Sequence, residues 1–180
     1  DITPASIEKQ GVHFIHQDRL LVPTASVAEA VFLNNEPSVG PFLNITRMKK
    51  EAARLIKEYF SINLNPNTLV RDLSAAQQKI VQITRALANN AKVLVLDEPT
   101  AALVAAETEK LFQVLRELQS RGISVIFISH YIQEIMDLCN KVTILRNGQN
   151  VGDLQIPDTS LTEIVSLMVD RKTSEMYPTR

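Results

Sequence analysis

Three apolar runs of this chain each end in side chains suited to phosphate chemistry. Lys92-Val93-Leu94-Val95-Leu96 runs into Asp97-Glu98-Pro99-Thr100, Ser124-Val125-Ile126-Phe127-Ile128 into Ser129-His130, and Gly11-Val12-His13-Phe14-Ile15-His16 into Gln17. Transfer of a phosphoryl group to water uses such a set. One carboxylate at a strand end holds Mg²⁺, directly or through water, and a second carboxylate orients the attacking water. An imidazole beside the terminal phosphate donates to the charge that develops in the transition state. A glutamine can exchange between metal, water and backbone as its loop moves. Taken singly, Asp97-Glu98 reads equally as a solvated turn closed by Pro99, and His130 as a strand end or a helix cap. It is their joint placement at strand ends that suggests chemistry.

The elements that must position these residues follow from the hydrophobic pattern. The second and third runs lack polar alternation and are rich in β-branched residues, as strands of a parallel sheet covered on both faces are. Between them Leu111, Val114, Leu115 and Leu118 recur at helical spacing, with Gly122 just beyond, so strand, helix and strand form a βαβ unit. In open parallel sheets ligands bind outside the carboxyl ends of the strands. If the three runs are neighbours, Gln17, Asp97, Glu98 and His130 share one rim.

Residues 26–90 read differently, as helices only. One spans residues 47–60, with Met48, Ala52, Leu55, Ile56 and Tyr59 on one face; another opens at Ser74 and carries Ile80, Ile83, Thr84 and Leu87. Ser74 followed three residues later by Gln77 is a capping box. A helix amino end with free N–H groups is equally an anion site, and one helix start can serve both purposes. Lys141-Val142-Thr143-Ile144-Leu145-Arg146, Asn147-Gly148 and the run after it spell a hairpin. A last helix is predicted over residues 160–169, followed by a polar tail.

Composition narrows the function classes. The 180 residues carry 19 Lys and Arg against 20 Asp and Glu, a net charge of −1, which argues against a general nucleic-acid footprint. No apolar run approaches the ~18 residues of a membrane span. The single cysteine, Cys139, forms no internal disulfide, and a cytosolic address is the default expectation. No signal-peptide pattern opens the chain, and its first residue, Asp1, predicts a piece of a longer protein.

Leu73-Ser74-Ala75-Ala76-Gln77-Gln78-Lys79-Ile80-Val81-Gln82-Ile83-Thr84-Arg85-Ala86-Leu87 resembles, without gaps, the signature helix of ATP-binding-cassette (ABC) ATPases, which reads Leu-Ser-Gly-Gly-Gln and ends Arg-Ala-Leu. The run from Val93 through Asp97-Glu98-Pro99-Thr100 resembles the Walker B strand and its loop. His130 matches the switch histidine and Gln17 the glutamine loop. Within the family, Gly11-Val12-His13-Phe14-Ile15-His16-Gln17 and the stretch from Leu167 to Pro178 are similar to the first cassette of tandem monosaccharide-importer ATPases. The resemblance implies a P-loop NTPase-like α/β fold. Its α/β core comprises residues 1–25 and 91–159, a helical signature subdomain residues 26–90, and a terminal helix and linker residues 160–180.

The resemblance further implies ATP and Mg²⁺ as cofactors. Asp97 and Gln17 serve the metal, Glu98 the attacking water and His130 the terminal phosphate; Ser74, Ala75, Ala76 and Gln77 close over ATP on an opposite cassette. The implied partners are permease transmembrane subunits, a second cassette and, indirectly, an extracytoplasmic sugar-binding protein, with no nucleic acid. The implied location is peripheral, on the cytoplasmic face of the inner membrane. Three departures stand against it. Ala75 and Ala76 replace the glycine pair, and Val104 stands where many members carry aspartate. The phosphate loop Gly-x-x-x-x-Gly-Lys-[Ser/Thr] is absent, the five glycines being Gly11, Gly40, Gly122, Gly148 and Gly152. The chain by itself is therefore expected to bind nucleotide poorly and to be inactive, and the alternative implied role is a non-catalytic dimerisation or docking cassette.

Overall fold

Gly11 begins the sheet because only glycine fits there. Its φ of +91° is left-handed, and a Cβ would meet Lys92 Cγ at 3.0 Å and the Asn90 carbonyl at 3.2 Å. That close approach lets the Gly11 carbonyl accept from the N–H groups of Lys92 (2.7 Å) and Val93 (3.0 Å), which sets the register of the first strand pair. The computed structural model describes residues 3–16 and 21–169, and these fall into two compact units divided between Ile128 and Ser129.

The first unit begins with α1 (Pro4–Lys9) and β1 (Val12–Ile15), followed by α2 (Val27–Phe32), β2 (Ser38–Val39), β3 (Phe42–Leu43), α3 (Ile45–Phe60) and α4 (Ala75–Ala88). It closes with β4 (Val93–Asp97), α5 (Ala105–Ser120) and β5 (Ser124–Ile128). The sheet is β1-β4-β5, all parallel, with Phe14 opposite Val95, Val95 opposite Ile126 and Asp97 opposite Ile128. The three expected strands are thus neighbours, in the expected α/β arrangement. On one face Ile15, Leu94 and Leu96 are buried, and Phe112 of α5 meets Phe127 edge to face at 5.9 Å. The other face is only partly covered: Phe14 is 42%, Ile126 52% and Ile128 47% exposed.

α2, α3 and α4 bury one common apolar cluster, including Val27, Val31, Met48, Ala52, Ile56, Val70 and Val81. α3 starts where the Asn44 side chain accepts from the Arg47 N–H at 3.0 Å and stops at Ser61, whose φ of 54° breaks the helical path. The helices-only expectation for residues 26–90 is corrected by β2 and β3. Left-handed Gly40, followed by Pro41, folds Ser38–Val39 back on Phe42–Leu43 as a short antiparallel pair. Both strands are exposed, so no burial periodicity announces them.

The second unit comprises α6 (Ile132–Leu138), the antiparallel pair β6 (Lys141–Arg146) and β7 (Gln149–Gln155), and α7 (Leu161–Val169). The expected Asn-Gly turn is present, with φ of 50° at Asn147 and 76° at Gly148, the two positive values that a tight hairpin turn requires. Val142, Ile144 and Ile164 form its core.

Ile56 lies fully buried in the helical cluster, so Ile56→Ala is expected to cost about 2–5 kcal/mol of stability. Denaturant unfolding checks this; a loss under about 1 kcal/mol would show that the cluster does not behave as a core.

Candidate functional site

β4 carries the acidic pair out of the sheet. Strand alternation puts Asp97 on the face shared by Val95, Phe14 and Ile126, and Asp97 is half-buried at the last paired position. Glu98 then leaves the strand in the left-handed region, at φ 42°, where a residue with a Cβ costs roughly 1–2 kcal/mol. Its surroundings hold it there. The Glu98 N–H donates to the Ile128 carbonyl at 2.9 Å, its carbonyl accepts from Ala101 at 3.4 Å, and the Leu103 N–H donates to Thr100 at 2.9 Å. Pro99 and Thr100 are buried beneath the turn. Backbone strain of this kind persists only where tertiary contacts impose it, and it concentrates at functional sites.

A second grouping forms at the amino end of α4. The Gln77 N–H donates to Ser74 Oγ at 3.3 Å and the Ser74 N–H to Gln77 Oε1 at 3.0 Å, which is the expected capping box. Gln78 contributes a tie that sequence inspection missed: its Nε2 donates to the carbonyls of Val70 (3.3 Å) and Leu73 (3.2 Å). Those bonds tie the 3₁₀ turn Val70–Asp72 to the helix. Ala75 and Ala76 occupy the first two helical positions, where the N–H groups have no carbonyl four residues back within the helix. Ser74 and Ala75 are exposed, so the positive end of the helix faces outward.

His130 belongs to the second unit, where its ring lies 4.1 Å from that of Tyr131, tilted by 39°. Beside it Ser129 Oγ accepts from the Tyr131 N–H at 3.0 Å and donates to Glu134 at 2.9 Å, fixing the start of α6. Gln17, expected at the rim beyond β1, lies outside the described residues. The structure therefore brings Asp97 and Glu98 together at the end of β4, and Ser74, Ala75, Ala76 and Gln77 together at the start of α4. Among the described residues no group of three or more His, Cys, Asp and Glu is placed to hold a metal. Two adjacent carboxylates fit Mg²⁺, which keeps several waters and commonly takes one or two carboxylates plus substrate phosphates rather than an all-protein cage.

A family model described as ABC transporter matches residues 1–101, a span that contains both groupings. The chain belongs to the ABC transporter family. Over 179 residues it is 63% identical to the ribose import ATP-binding protein RbsA of Cereibacter sphaeroides, covering 99% of this chain and 36% of that protein. Over 176 residues it is 45% identical to the ribose import ATP-binding protein RbsA of Pseudomonas putida, covering 98% and 34%. The chain thus spans about a third of the length of these curated relatives. Among solved structures it resembles an ATP-binding cassette whose dimer was determined in a post-hydrolysis state bound to ADP and Pi, with a TM-score of 0.70 and 24% identity over 87% of this chain and 68% of that one. That likeness establishes the ABC ATPase fold. Among the described residues no helix is long and apolar enough to cross a membrane.

The two roles of Ser74 separate experimentally. Aspartate caps as well as serine but repels phosphate, so Ser74→Asp is expected to keep unfolding stability within about 0.5 kcal/mol while Ser74→Ala loses about 1 kcal/mol. If the helix end meets phosphate, Ser74→Asp abolishes nucleotide-dependent turnover of the full-length protein; unchanged turnover would leave capping as the residue's only role.

Proposed function

We propose that this chain is part of the ATP-hydrolysing subunit of an ABC importer, one that couples ATP hydrolysis to uptake of a monosaccharide of the ribose class across the cytoplasmic membrane. The observation that carries this reading is the carboxylate pair at the carboxyl end of β4, with Glu98 held left-handed by its bond to Ile128. The similarity to ribose import ATP-binding proteins supports the substrate class.

In this mechanism Asp97, with Gln17, would hold Mg²⁺, directly or through water. The ion, when bound, neutralises charge on the β- and γ-phosphates. Glu98 accepts a hydrogen bond from the attacking water and draws it into line with the terminal phosphorus, and His130 donates to the phosphoryl oxygens as their charge grows. Water adds to phosphorus, the bond to the ADP oxygen breaks, and ADP and phosphate leave. The phosphate loop is contributed from outside these 180 residues. The half-open sheet face at Phe14, Ile126 and Ile128 supports a further covering element on the side where Asp97 stands, because parallel sheets are covered on both faces.

Ser74, Ala75, Ala76 and Gln77 close over nucleotide held by a second cassette, since a helix amino end with free N–H groups suits phosphate. Permease subunits receive the work of closure, a sugar-binding protein outside the membrane delivers the cargo, and the subunit sits peripherally on the cytoplasmic face. A second reading, a cassette that docks and dimerises while hydrolysis occurs elsewhere, rests on Ala75 and Ala76, whose methyl groups stand where the family signature has none.

ATPase turnover of the full-length protein with its permease in liposomes discriminates between these readings. Glu98→Gln is expected to lower turnover by about 10²–10⁴-fold, and unchanged turnover would remove the role given to Glu98. Ala75→Gly with Ala76→Gly is expected to raise the rate of a slow site; no change would take away the motive for the docking cassette.

A further inference from the structure

Away from the carboxylate pair, the end of α3, the start of α4 and the length of α5 enclose a cavity of about 520 Å³, a size typical of small-molecule sites. Phe60 and Ile62 at the end of α3, Ile80 on α4, and Leu103, Leu111 and Val114 at and along α5 form its apolar side, and charged and polar residues of α3, α4 and α5 form the rest. Two ammonium groups line it without a counter-charge among the described residues, Lys79 and the exposed Lys110. Lys79 is half-buried, and among the described residues its ammonium makes no hydrogen bond or ion pair.

The acidic groups around the cavity are engaged elsewhere. Arg121 holds Glu117 at 2.9 Å and Glu58 at 3.8 Å while lying 4.8 Å over the Tyr59 ring. Glu107 accepts from the Val104 N–H at 3.3 Å. Burial pushes the Lys79 pKa down, desolvation being its cause, so the charged form lacks the solvation or partner it needs. A single negative charge fits beside Lys79, where Ala76 brings the positive end of α4 to the same cavity. Only Lys79 of the lining cations is half-buried and unpaired, since Lys110 is exposed and Arg121 is engaged by Glu117 and Glu58, so one carboxylate matches the one desolvated ammonium.

We propose that the cleft between α3, α4 and α5 binds a small amphipathic monocarboxylate, its carboxylate on Lys79 and its apolar body against Ile80, Leu111 and Val114. The site lies away from the carboxylate pair of β4 but shares Ala76 with the start of α4, so its occupant touches three helices at once, including the first turn of the signature helix.

Calorimetric titration of the full-length protein without nucleotide tests this, using hexanoate, hexanol and hexylamine as probes of equal length. Hexanoate is expected to bind about tenfold more tightly than hexanol, a factor suited to one partly exposed charge-assisted contact, and hexylamine more weakly than either. Lys79→Met is expected to abolish the preference for hexanoate, and Lys79→Arg to keep it. Val114→Trp fills the cavity and is expected to remove binding of all three; should it fail to fold, the two Lys79 variants decide. Equal affinity for hexanoate and hexanol, a preference that survives Lys79→Met, or no heat from hexanoate up to ~10 mM would each overturn the assignment.

Discussion

The hydrogen bond from the Glu98 N–H to the Ile128 carbonyl carries the parallel β4–β5 ladder one step past Asp97, its last paired residue. In an extended strand, consecutive residues point to opposite faces, so Asp97 and Glu98 would be separated by the sheet itself. The left-handed backbone at Glu98 ends that alternation while the bond keeps the residue anchored to the sheet edge. Buried Pro99 and Thr100 close the turn from below. Asp97 therefore keeps the strand's facing while Glu98 departs from it at the strand end.

Stiffness at the amino end of α4 comes from a different set of choices. Alanine in place of glycine favours the helix by up to about 1 kcal/mol per residue. The reciprocal Ser74–Gln77 bonds hold the cap, and Gln78 ties the preceding 3₁₀ turn to the helix. An anion reaching this end meets donors already in place, which lowers the cost of ordering them. The same alanines place methyl groups beside the N–H groups that would have to approach it. Rigidity and close access therefore pull in opposite directions at Ala75 and Ala76, and the chain adopts the more rigid option.

How much of this was legible in the sequence depended on whether an element's cause is local. β1, β4 and β5 were readable because each is an unbroken apolar run, although one face of β1 and β5 stays partly exposed, and the β6–β7 hairpin because Asn147-Gly148 supplies two positive φ values. The signature cap was readable because Ser74 and Gln77 are three residues apart. β2 and β3 were not, since two exposed residues on each side of Gly40 carry no periodicity. The left-handed backbone of Glu98 was not either, because a bond to Ile128, thirty residues further along, imposes it. The unpaired state of Lys79 likewise arises from where α3 and α5 pack, and its own neighbours in sequence do not show it.

The incomplete sheet face joins the packing problem to the chemical one. Phe14, Val95 and Ile126 lie in one register row, and Asp97 continues the same face toward the carboxyl edge. Val95 is buried while its two row neighbours stay largely exposed, so the apolar demand is concentrated immediately behind the acidic pair. The phosphate site proposed near Asp97 would need backbone N–H donors arriving from that side, and the five glycines of this chain do not form the loop that would bring them. An element that covers the row and ends in such a loop meets both needs with one placement, since burying Phe14 and Ile126 would also fix the distance of its loop from Asp97. The hydrophobic effect would then set where that loop stands relative to the carboxylates.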